Sequence, residues 1–266
     1  FAAGIIGLLL AIILPKFLKN SWRDSDVPPA ESEQSVRTIA TWSKDHPLSE
    51  FETSAAIFYF IRNPRFWLIS LGVSSLAVLF EFQVFIPLYL SETFDLIPAH
   101  AGMASAAFPM GCLIAVFMGG FVYDRLSKKN IVIAMSGTLI LAILCLLCLR
   151  FLGANDLGAQ FEIVLTISLI FIFGFAIAPA YYIPMSVFSI SFGGRHCGLL
   201  VGLIDALAYF GAMIFDFVGG AVANKEGGWQ DFLLILLVTS ILAAIIMTTF
   251  LYADYRDAKF IGGGRE

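Results

Sequence analysis

Seven long apolar runs constrain the fold of this chain more than any other feature of its sequence. Each run has about 20 residues, which at 1.5 Å per residue lets a helix cross a hydrocarbon layer about 30 Å thick. Only helices and closed barrels satisfy their backbone groups in lipid, and the alternating pattern of barrel strands is absent here. We therefore predict an all-α polytopic membrane protein with seven transmembrane helices. The predicted segments are A (1–18), B (66–90), C (99–123), D (131–152), E (162–191), F (197–223) and G (229–253).

The composition agrees with a membrane location. Hydrophobic residues make up 59% of the 266 residues and charged residues only 14%, whereas a soluble domain has about half and about a quarter. The formal net charge of -4 argues against a nucleic-acid partner. The sequence shows no nucleophile motif, glycine-rich phosphate loop or zinc signature, so we expect no enzyme, cofactor or metal site. Cys145 and Cys148 have redox-motif spacing, but among leucines a cysteine usually acts as a small hydrophobic residue.

The distribution of positive charge predicts the orientation in the membrane. Of the 16 Lys and Arg residues, only Arg150 and Lys225 fall on one side of the seven segments. Cytoplasmic loops carry an excess of Lys and Arg. The strongly basic side is therefore predicted to be cytoplasmic, with the N-terminus of the chain outside and the C-terminus inside.

A polar stretch separates segments A and B. Residues 19–48 contain two adjacent prolines and charges of both signs, which is typical of a mobile linker. After it, Ser49 and Glu52 have capping-box spacing. Four apolar or small residues then share one helical face, namely Phe51, Ala55, Phe58 and Tyr59. Two interpretations stay open: a short helix along the membrane surface that ends at Asn63 before Pro64, or a plain helical extension of segment B.

The connection between segments C and D, GGFVYDRLSKKN at residues 119–130, concentrates charge in a short space. It matches the pattern G-x-x-x-D-R-x-x-[RK]-[RK] at Gly120, Asp124, Arg125, Lys128 and Lys129. This pattern resembles a cytoplasmic loop of the major facilitator superfamily, with Ser127 where that family often has glycine. In those transporters the loop joins the second and third helices of each six-helix half.

The resemblance implies a division of the chain into domains. Residues 66–253 would form the six-helix C-terminal half of a transporter, and residues 1–18 would be the last helix of an N-terminal half that is absent from this chain. Residues 19–65 would be the central cytoplasmic linker, with a surface helix near its end, and residues 254–266 a cytoplasmic tail. The expected partners are then the lipid bilayer and the absent half.

Within the charged loop, we expect Asp124 and Arg125 to act in gating. A carboxylate beside a guanidinium can cap helix ends and bond across the interface of the two halves when the cytoplasmic side is closed, and it must release on opening. The positive-inside rule alone gives no reason for an aspartate at this place. For Lys128 and Lys129, a role in gating and a role as plain cytoplasmic anchors stay equally open.

Polar and ionisable groups inside the apolar segments predict the pathway of solute or ions. An ionisable group costs on the order of 3 kcal/mol at the bilayer centre, so it usually has a function. In the superfamily the third and sixth helices of each half are peripheral. Segments A, D and G would hold those positions and should then be apolar all round: A has no polar residue before Lys16, D offers Ser136 and Thr138, and G offers only Ser and Thr near its middle. Segments B and F instead contain Glu81 with Gln83, and Asp205 with Asp216.

Helical spacing relates these groups to one another. Asp205, Tyr209 and Asp216 fall on one stripe of segment F, with the two carboxylates about 16 Å apart along the axis. Glu81 shares a stripe of segment B with two serines and is a candidate proton carrier, or a carboxylate neutralised by the absent half. Gln83 is turned well away from that stripe. For Asp216, near the outer end, a structural role is equally open.

Segment E adds two tyrosines to the predicted pathway. Tyr181 and Tyr182 lie between Pro179 and Pro184. Each proline frees a backbone carbonyl, so we expect the helix to bend beside a cavity where tyrosine hydroxyls bind solute. For one tyrosine of the pair, simple packing is the alternative.

The stretches IPLYLSE (86–92) and LIDALAYFG with GGWQDF (203–211 and 227–232) are similar to the organophosphate and sugar-phosphate exchanger branch of the superfamily. Phosphate-binding members of that branch carry an arginine in the helix corresponding to segment B, and segment B has none within its apolar span. The resemblance implies secondary transport of a small polar or anionic organic solute by alternating access, with protons or another ion as the coupling partner. The alternatives are a seven-helix receptor and a non-transporting scaffold descended from a transporter.

Overall fold

The computed structural model describes residues 48, 51–123, 125–152, 159–225 and 227–262, and for residues 159 and 257–262 it describes only the backbone. Predicted segment A, the linker up to residue 47 and Asp124 lie outside these residues. The described chain is helical and contains no strand. Its helices are α1 (Thr53–Arg62), α2 (Pro64–Phe94), α3 (Pro98–Ser105), α4 (Ala107–Tyr123), α5 (Lys128–Leu152), α6 (Ala159–Gly193), α7 (Cys197–Ala223) and α8 (Gly228–Gly262).

Within the described residues, five helical stretches are long and apolar enough to span a membrane. The longest, Gln160–Ala223, has 64 residues, about three times the length that a bilayer of about 30 Å requires. It consists of α6 and α7, which the 3-10 turn Gly194–His196 divides. The all-helical membrane fold is thus confirmed. Of the seven predicted helices, segment A lies outside the described part.

Aromatic side chains fill the centre of the bundle around α2. The ring of Phe82, which is fully buried, lies 6.0 Å from Phe173 in α6 and 6.1 Å from Phe232 in α8. Phe60, just before α2, contacts Phe192 near the end of α6 at 5.9 Å. The residues just before α2 therefore lie beside the end of α6, while Phe82 within α2 lies beside Phe173 within α6. The two helices run antiparallel.

Helices α4 and α6 run parallel, because Gly119 near the end of α4 lies beside Ile183 in the second half of α6. They approach each other closely at two further glycines. A Cβ on Gly111 would collide with the backbone carbonyl of Phe171, and a Cβ on Gly174 would collide with that of Phe108. The Cys112 thiol donates a hydrogen bond to the Gly174 carbonyl at 3.3 Å. Lipid gives no hydrophobic force between helices, so small residues that allow close packing decide which helices associate.

Segment C, predicted as one helix, is divided into α3 and α4 at Ala106. Pro109 explains the break, because it has no N–H to donate to the Ser105 carbonyl and its ring clashes there. The Ala106 N–H bonds instead to the Met103 carbonyl at 3.2 Å, in a tighter turn. The prediction of one continuous helix was therefore wrong at Ala106, and its cause, Pro109, is local in the sequence.

The helices also extend beyond the predicted apolar segments. α8 continues to Gly262, well past residue 253 where segment G ended, because charged residues are excluded from lipid but not from a helix. α6 is one helix from Ala159 to Gly193 through Pro179 and Pro184, so the expected bend does not interrupt it. Apolar runs mark the part of a helix within lipid rather than the whole helix.

α1 is a separate helix and not an extension of α2. Asn63 between them has extended backbone angles, and its side chain accepts a hydrogen bond from the Arg65 N–H at 2.9 Å, which caps α2. Glu52 holds the N-cap position of α1 without a side-chain bond, in contrast to the predicted capping box. The helix buries Ala56 and Phe60, and the face predicted to lie along the membrane surface, formed by Phe51, Ala55, Phe58 and Tyr59, is exposed.

Candidate functional site

Six polar side chains from α2, α6 and α7 gather on one side of the bundle. This group, which we name the polar wall, consists of Glu81, Tyr181, Tyr182, Asp205, Tyr209 and Asp216. Each was predicted from the sequence as a pathway residue, and electrostatic interactions connect them in the fold. Tyr182 and Tyr209 are 45% and 65% exposed, Asp216 is exposed, and the other three are partly buried. The described residues therefore leave this side of the bundle open.

Tyr181 lies at the centre of the polar wall. Its ring is 4.9 Å from the Tyr182 ring in an edge-on arrangement and 5.0 Å from the Phe80 ring of α2. Its hydroxyl interacts electrostatically with both Asp205 of α7 and Glu81 of α2. One tyrosine of α6 thus lies within electrostatic range of carboxylates from both neighbouring helices.

Close packing of α2 against α7 sets the register of the carboxylates. The Ser74 hydroxyl donates a hydrogen bond to the Leu207 carbonyl at 3.3 Å, and a Cβ on Gly211 would collide with the Ser74 oxygen. About two turns after Ser74 in α2, Glu81 interacts electrostatically with Asp216, which follows Gly211 in α7. The two helices therefore run parallel, and Glu81 lies level with Asp216 rather than with Asp205.

The chemistry of the polar wall is that of hydrogen-bond acceptors. Carboxylates accept hydrogen bonds when ionised, and tyrosine hydroxyls both donate and accept. None of the six residues carries a positive charge. The wall is therefore suited to solute hydroxyls, ammonium groups or protons, and a phosphate would need cations from another surface because like charges repel.

Gln83 is the predicted pathway residue that the fold does not bring into the polar wall. It follows Glu81 by two positions, which is a rotation of about 200° around the helix. Its side chain is exposed on the far side of α2 from Glu81. A role for Gln83 in the pathway stays a prediction from its position inside the apolar segment.

The predicted gating residues lie at the end of the bundle that also carries α1, which we call the basic end. Gly120 lies exposed in the last turn of α4, and a Cβ there would meet nothing within 4 Å. Arg125 is exposed in the turn, and the exposed Lys128 and Lys129 begin α5. Asp124 lies outside the described residues, so its role stays a prediction.

At the opposite end, the fold joins residues that we did not single out from the sequence. The Trp229 indole N–H at the start of α8 donates a hydrogen bond to the Glu92 carboxylate near the end of α2 at 2.8 Å. The Arg150 guanidinium at the end of α5 donates to the Gln230 carbonyl at 2.7 Å. Glu92 and Trp229 belong to the stretches IPLYLSE and GGWQDF, on which the resemblance to the exchanger branch rests. That resemblance was the one signal in the sequence that pointed to these two residues.

Metal or redox chemistry receives no support from the described residues. No three His, Cys, Asp or Glu side chains among them are placed to hold a metal ion. Cys145 is buried and Cys148 is exposed, and both are free thiols. The two cysteines are three positions apart on α5, only about 60° around the helix, and their spacing is that of neighbouring residues on one helix surface.

Comparison with known proteins identifies the family. A sequence profile of the Major Facilitator Superfamily matches residues 1–194 and 82–266. A probable hexose phosphate transport protein of Chlamydia trachomatis is 25% identical over 261 residues, which cover 92% of this chain and 55% of that protein. The glucose-6-phosphate exchanger SLC37A2 of Bos taurus is 21% identical over 236 residues, 85% of this chain and 46% of that protein.

The chain spans about half the length of these curated relatives. The relatives are transporters and exchangers rather than enzymes, and they match the sugar-phosphate branch that the sequence motifs resemble. Because the two profile matches together include every residue of the chain, and its described part is a helical bundle with apolar spans, this chain belongs to the Major Facilitator Superfamily.

Proposed function

We propose that this chain forms one half of a secondary transporter that moves a small polar or anionic organic solute by alternating access. The observation that carries the proposal is the polar wall, with three carboxylates and three tyrosines on one open side of an apolar bundle. Ionisable groups facing lipid cost on the order of 3 kcal/mol each. A second protein surface, the other half of the transporter, would cover the wall and enclose a site near the membrane midplane.

The comparisons support transport over the alternatives. Both curated relatives are named for the movement of hexose phosphates, and the chain covers about half of each. No relative found is a receptor. A scaffold that has lost transport would have no need to keep six polar side chains of three helices within electrostatic range of one another.

A hexose phosphate fits this proposal if each half of the transporter binds a different part of the solute. Sugar hydroxyls donate hydrogen bonds to carboxylates, and tyrosine rings pack against the apolar faces of the sugar. The polar wall would then hold the sugar, and the phosphate would bind cations of the other half. This division follows from the charge of the wall, which has acceptors and no cation.

The orientation of the chain is part of the proposal. A single cysteine placed at Ser127, in a variant without the four native cysteines, should react with a membrane-impermeant maleimide only after the cells are permeabilised. A cysteine placed at Asp95, in the connection after α2, should react in intact cells. Labelling of Ser127→Cys from outside would contradict a cytoplasmic basic end.

Reconstitution of the full-length transporter that contains this chain tests the function. Proteoliposomes should exchange labelled glucose 6-phosphate or inorganic phosphate for internal substrate. Asp124→Asn should slow exchange about tenfold, the equivalent of ~1.4 kcal/mol in the barrier, and leave half-saturation nearly unchanged, because it disturbs an interface made in only one access state.

Two controls separate the parts of this proposal. Residues 1–266 alone should show no uptake above protein-free vesicles, since only one wall of the site is present, and robust uptake by this chain as a monomer would disprove the half-transporter proposal. If Asp124→Asn lowers only the amount of inserted protein and not the rate per molecule, the charged loop is an anchor and not a gate.

A further inference from the structure

The two tyrosines of α6 in the polar wall both pack against a phenylalanine that is not part of the wall. Phe80 of α2 directly precedes Glu81 and is partly buried. Its ring centroid lies 5.0 Å from that of Tyr181 and 6.0 Å from that of Tyr182, and the two tyrosine rings are 4.9 Å apart. Aromatic rings at such separations attract each other in tilted and edge-to-face arrangements. Phe80 therefore holds both tyrosines at once.

A second phenylalanine supports Phe80. The Phe108 ring of α4 is fully buried and meets the Phe80 ring edge to face at 5.8 Å. Phe108 lies at the close crossing of α4 and α6, where a Cβ on Gly174 would collide with its backbone carbonyl. Its ring is also 6.0 Å from that of Phe173 in α6. Because closely packed groups have little freedom to move, Phe108 offers Phe80 a rigid surface.

The place of Phe80 in the chain relates two helices of the polar wall. Glu81 is the next residue of α2, whereas Tyr181 belongs to α6. The Tyr181 hydroxyl interacts electrostatically with Glu81 and with Asp205 of α7, and such interactions depend on the distance between the groups. The contact of Phe80 with the Tyr181 ring therefore sets how far this hydroxyl lies from the Glu81 carboxylate.

We propose that Phe80 is a positioning residue for solute binding and that it acts through the Tyr181 hydroxyl. This inference rests on the proposed function, in which hydroxyls and carboxylates of the polar wall bind the solute. The Phe80 side chain has no polar group and forms no hydrogen bond with a solute. It keeps the Tyr181 ring in place, so that the solute meets hydrogen-bond partners that are already arranged for it.

Loss of the Phe80 ring should weaken solute binding without slowing transport. In proteoliposomes that contain the full-length transporter, Phe80→Leu should raise the half-saturation for glucose 6-phosphate exchange about tenfold, the effect of one lost hydrogen bond. The maximal rate per inserted molecule should stay within about twofold, because the change affects binding and not the barrier between the access states. Phe80→Tyr keeps the ring and should retain the half-saturation of the unsubstituted protein.

Phe85→Leu is the matched control. Phe85 is another partly buried phenylalanine of α2, and its ring contacts those of Phe215 and Phe232, which lie outside the polar wall. Its substitution should leave the half-saturation within about twofold. Equal increases for Phe80→Leu and Phe85→Leu would show a general loss of packing and would refute the proposal. If thermal unfolding shows that Phe80→Leu does not fold, Phe80→Met takes its place, because methionine fills irregular space without fixing a neighbouring ring.

A double-mutant cycle tests whether Phe80 acts through Tyr181. Tyr181→Phe removes the hydroxyl and keeps the ring. If Phe80 positions that hydroxyl, adding Phe80→Leu to Tyr181→Phe should raise the half-saturation no further, whereas independent effects would multiply. Multiplied effects would overturn the proposal while leaving the proposed function intact. Absence of hexose phosphate exchange by the unsubstituted transporter would instead disprove the proposed function, and this inference with it.

Discussion

Gly111→Ala and Gly174→Ala are each expected to destabilise the bundle by about 1–3 kcal/mol or more, because the added methyl group collides with the backbone of the facing helix. A backbone carbonyl cannot rotate away as a side chain can, so α4 and α6 must separate and lose their packing. The measurement is thermal unfolding of the purified protein in detergent, followed by the loss of its monodisperse gel-filtration peak. Gly111→Val should prevent folding altogether.

The matched controls are glycines with open space around their Cβ positions. Gly137 in α5 and Gly202 in α7 have nothing within 4 Å of an added Cβ. Alanine favours a helix over glycine by about 1 kcal/mol, so these two substitutions should leave stability unchanged or raise it. Gly211→Ala should be intermediate, because it meets the movable Ser74 side chain. If all five substitutions behaved alike, close approach of α4 and α6 would not determine stability.

Glu81→Gln and Asp205→Asn are expected to abolish gradient-driven accumulation by the full-length transporter, with a loss of at least tenfold, the equivalent of ~1.4 kcal/mol or more. Both substitutions keep the shape of the side chain and remove the group that binds a proton or ion inside the membrane. Exchange of substrate across the membrane without a gradient should survive with weaker half-saturation, because the Gln and Asn carbonyl oxygens still accept hydrogen bonds from sugar hydroxyls. Uptake and exchange in proteoliposomes, measured side by side, separate the two activities.

Asp231→Asn is the control for this pair, because Asp231 is an exposed carboxylate at the start of α8 and outside the polar wall. It should leave accumulation intact. If Glu81→Gln and Asp205→Asn both retain gradient-driven uptake with the normal pH dependence, these carboxylates are structural. The solute site would then be assigned to the remaining members of the wall, Tyr181, Tyr182 and Tyr209.

Much of the fold was predictable from the sequence because lipid imposes local rules. A helix needs about 20 apolar residues to cross the membrane, so its position can be found from neighbouring residues alone. Segment F coincides with α7, Cys197–Ala223. The division of segment C had an equally local cause, Pro109, and should have been predicted. The ends of α8 and α6 lie outside lipid, where the apolar pattern carries no information.

The candidate site was predictable in part. Ionisable groups in apolar segments identified Glu81, Asp205 and Asp216, because their cost in lipid is independent of neighbouring helices. Spacing along one helix placed Asp205 and Asp216 on a common stripe. That Tyr181 interacts electrostatically with both Asp205 and Glu81 depends on how α2, α6 and α7 pack, and no pattern within a single segment reports this packing.

The sequence by itself determined the membrane location, the helical class, the superfamily and the charged loop, since each depends on residues that are close along the chain. Only the tertiary structure decided the parallel pairing of α2 with α7 and of α4 with α6, and the contact of Glu92 with Trp229. These features join residues far apart in the chain. Their physical cause is close packing of helix faces in lipid, where the fit of particular side chains and glycines replaces the hydrophobic force.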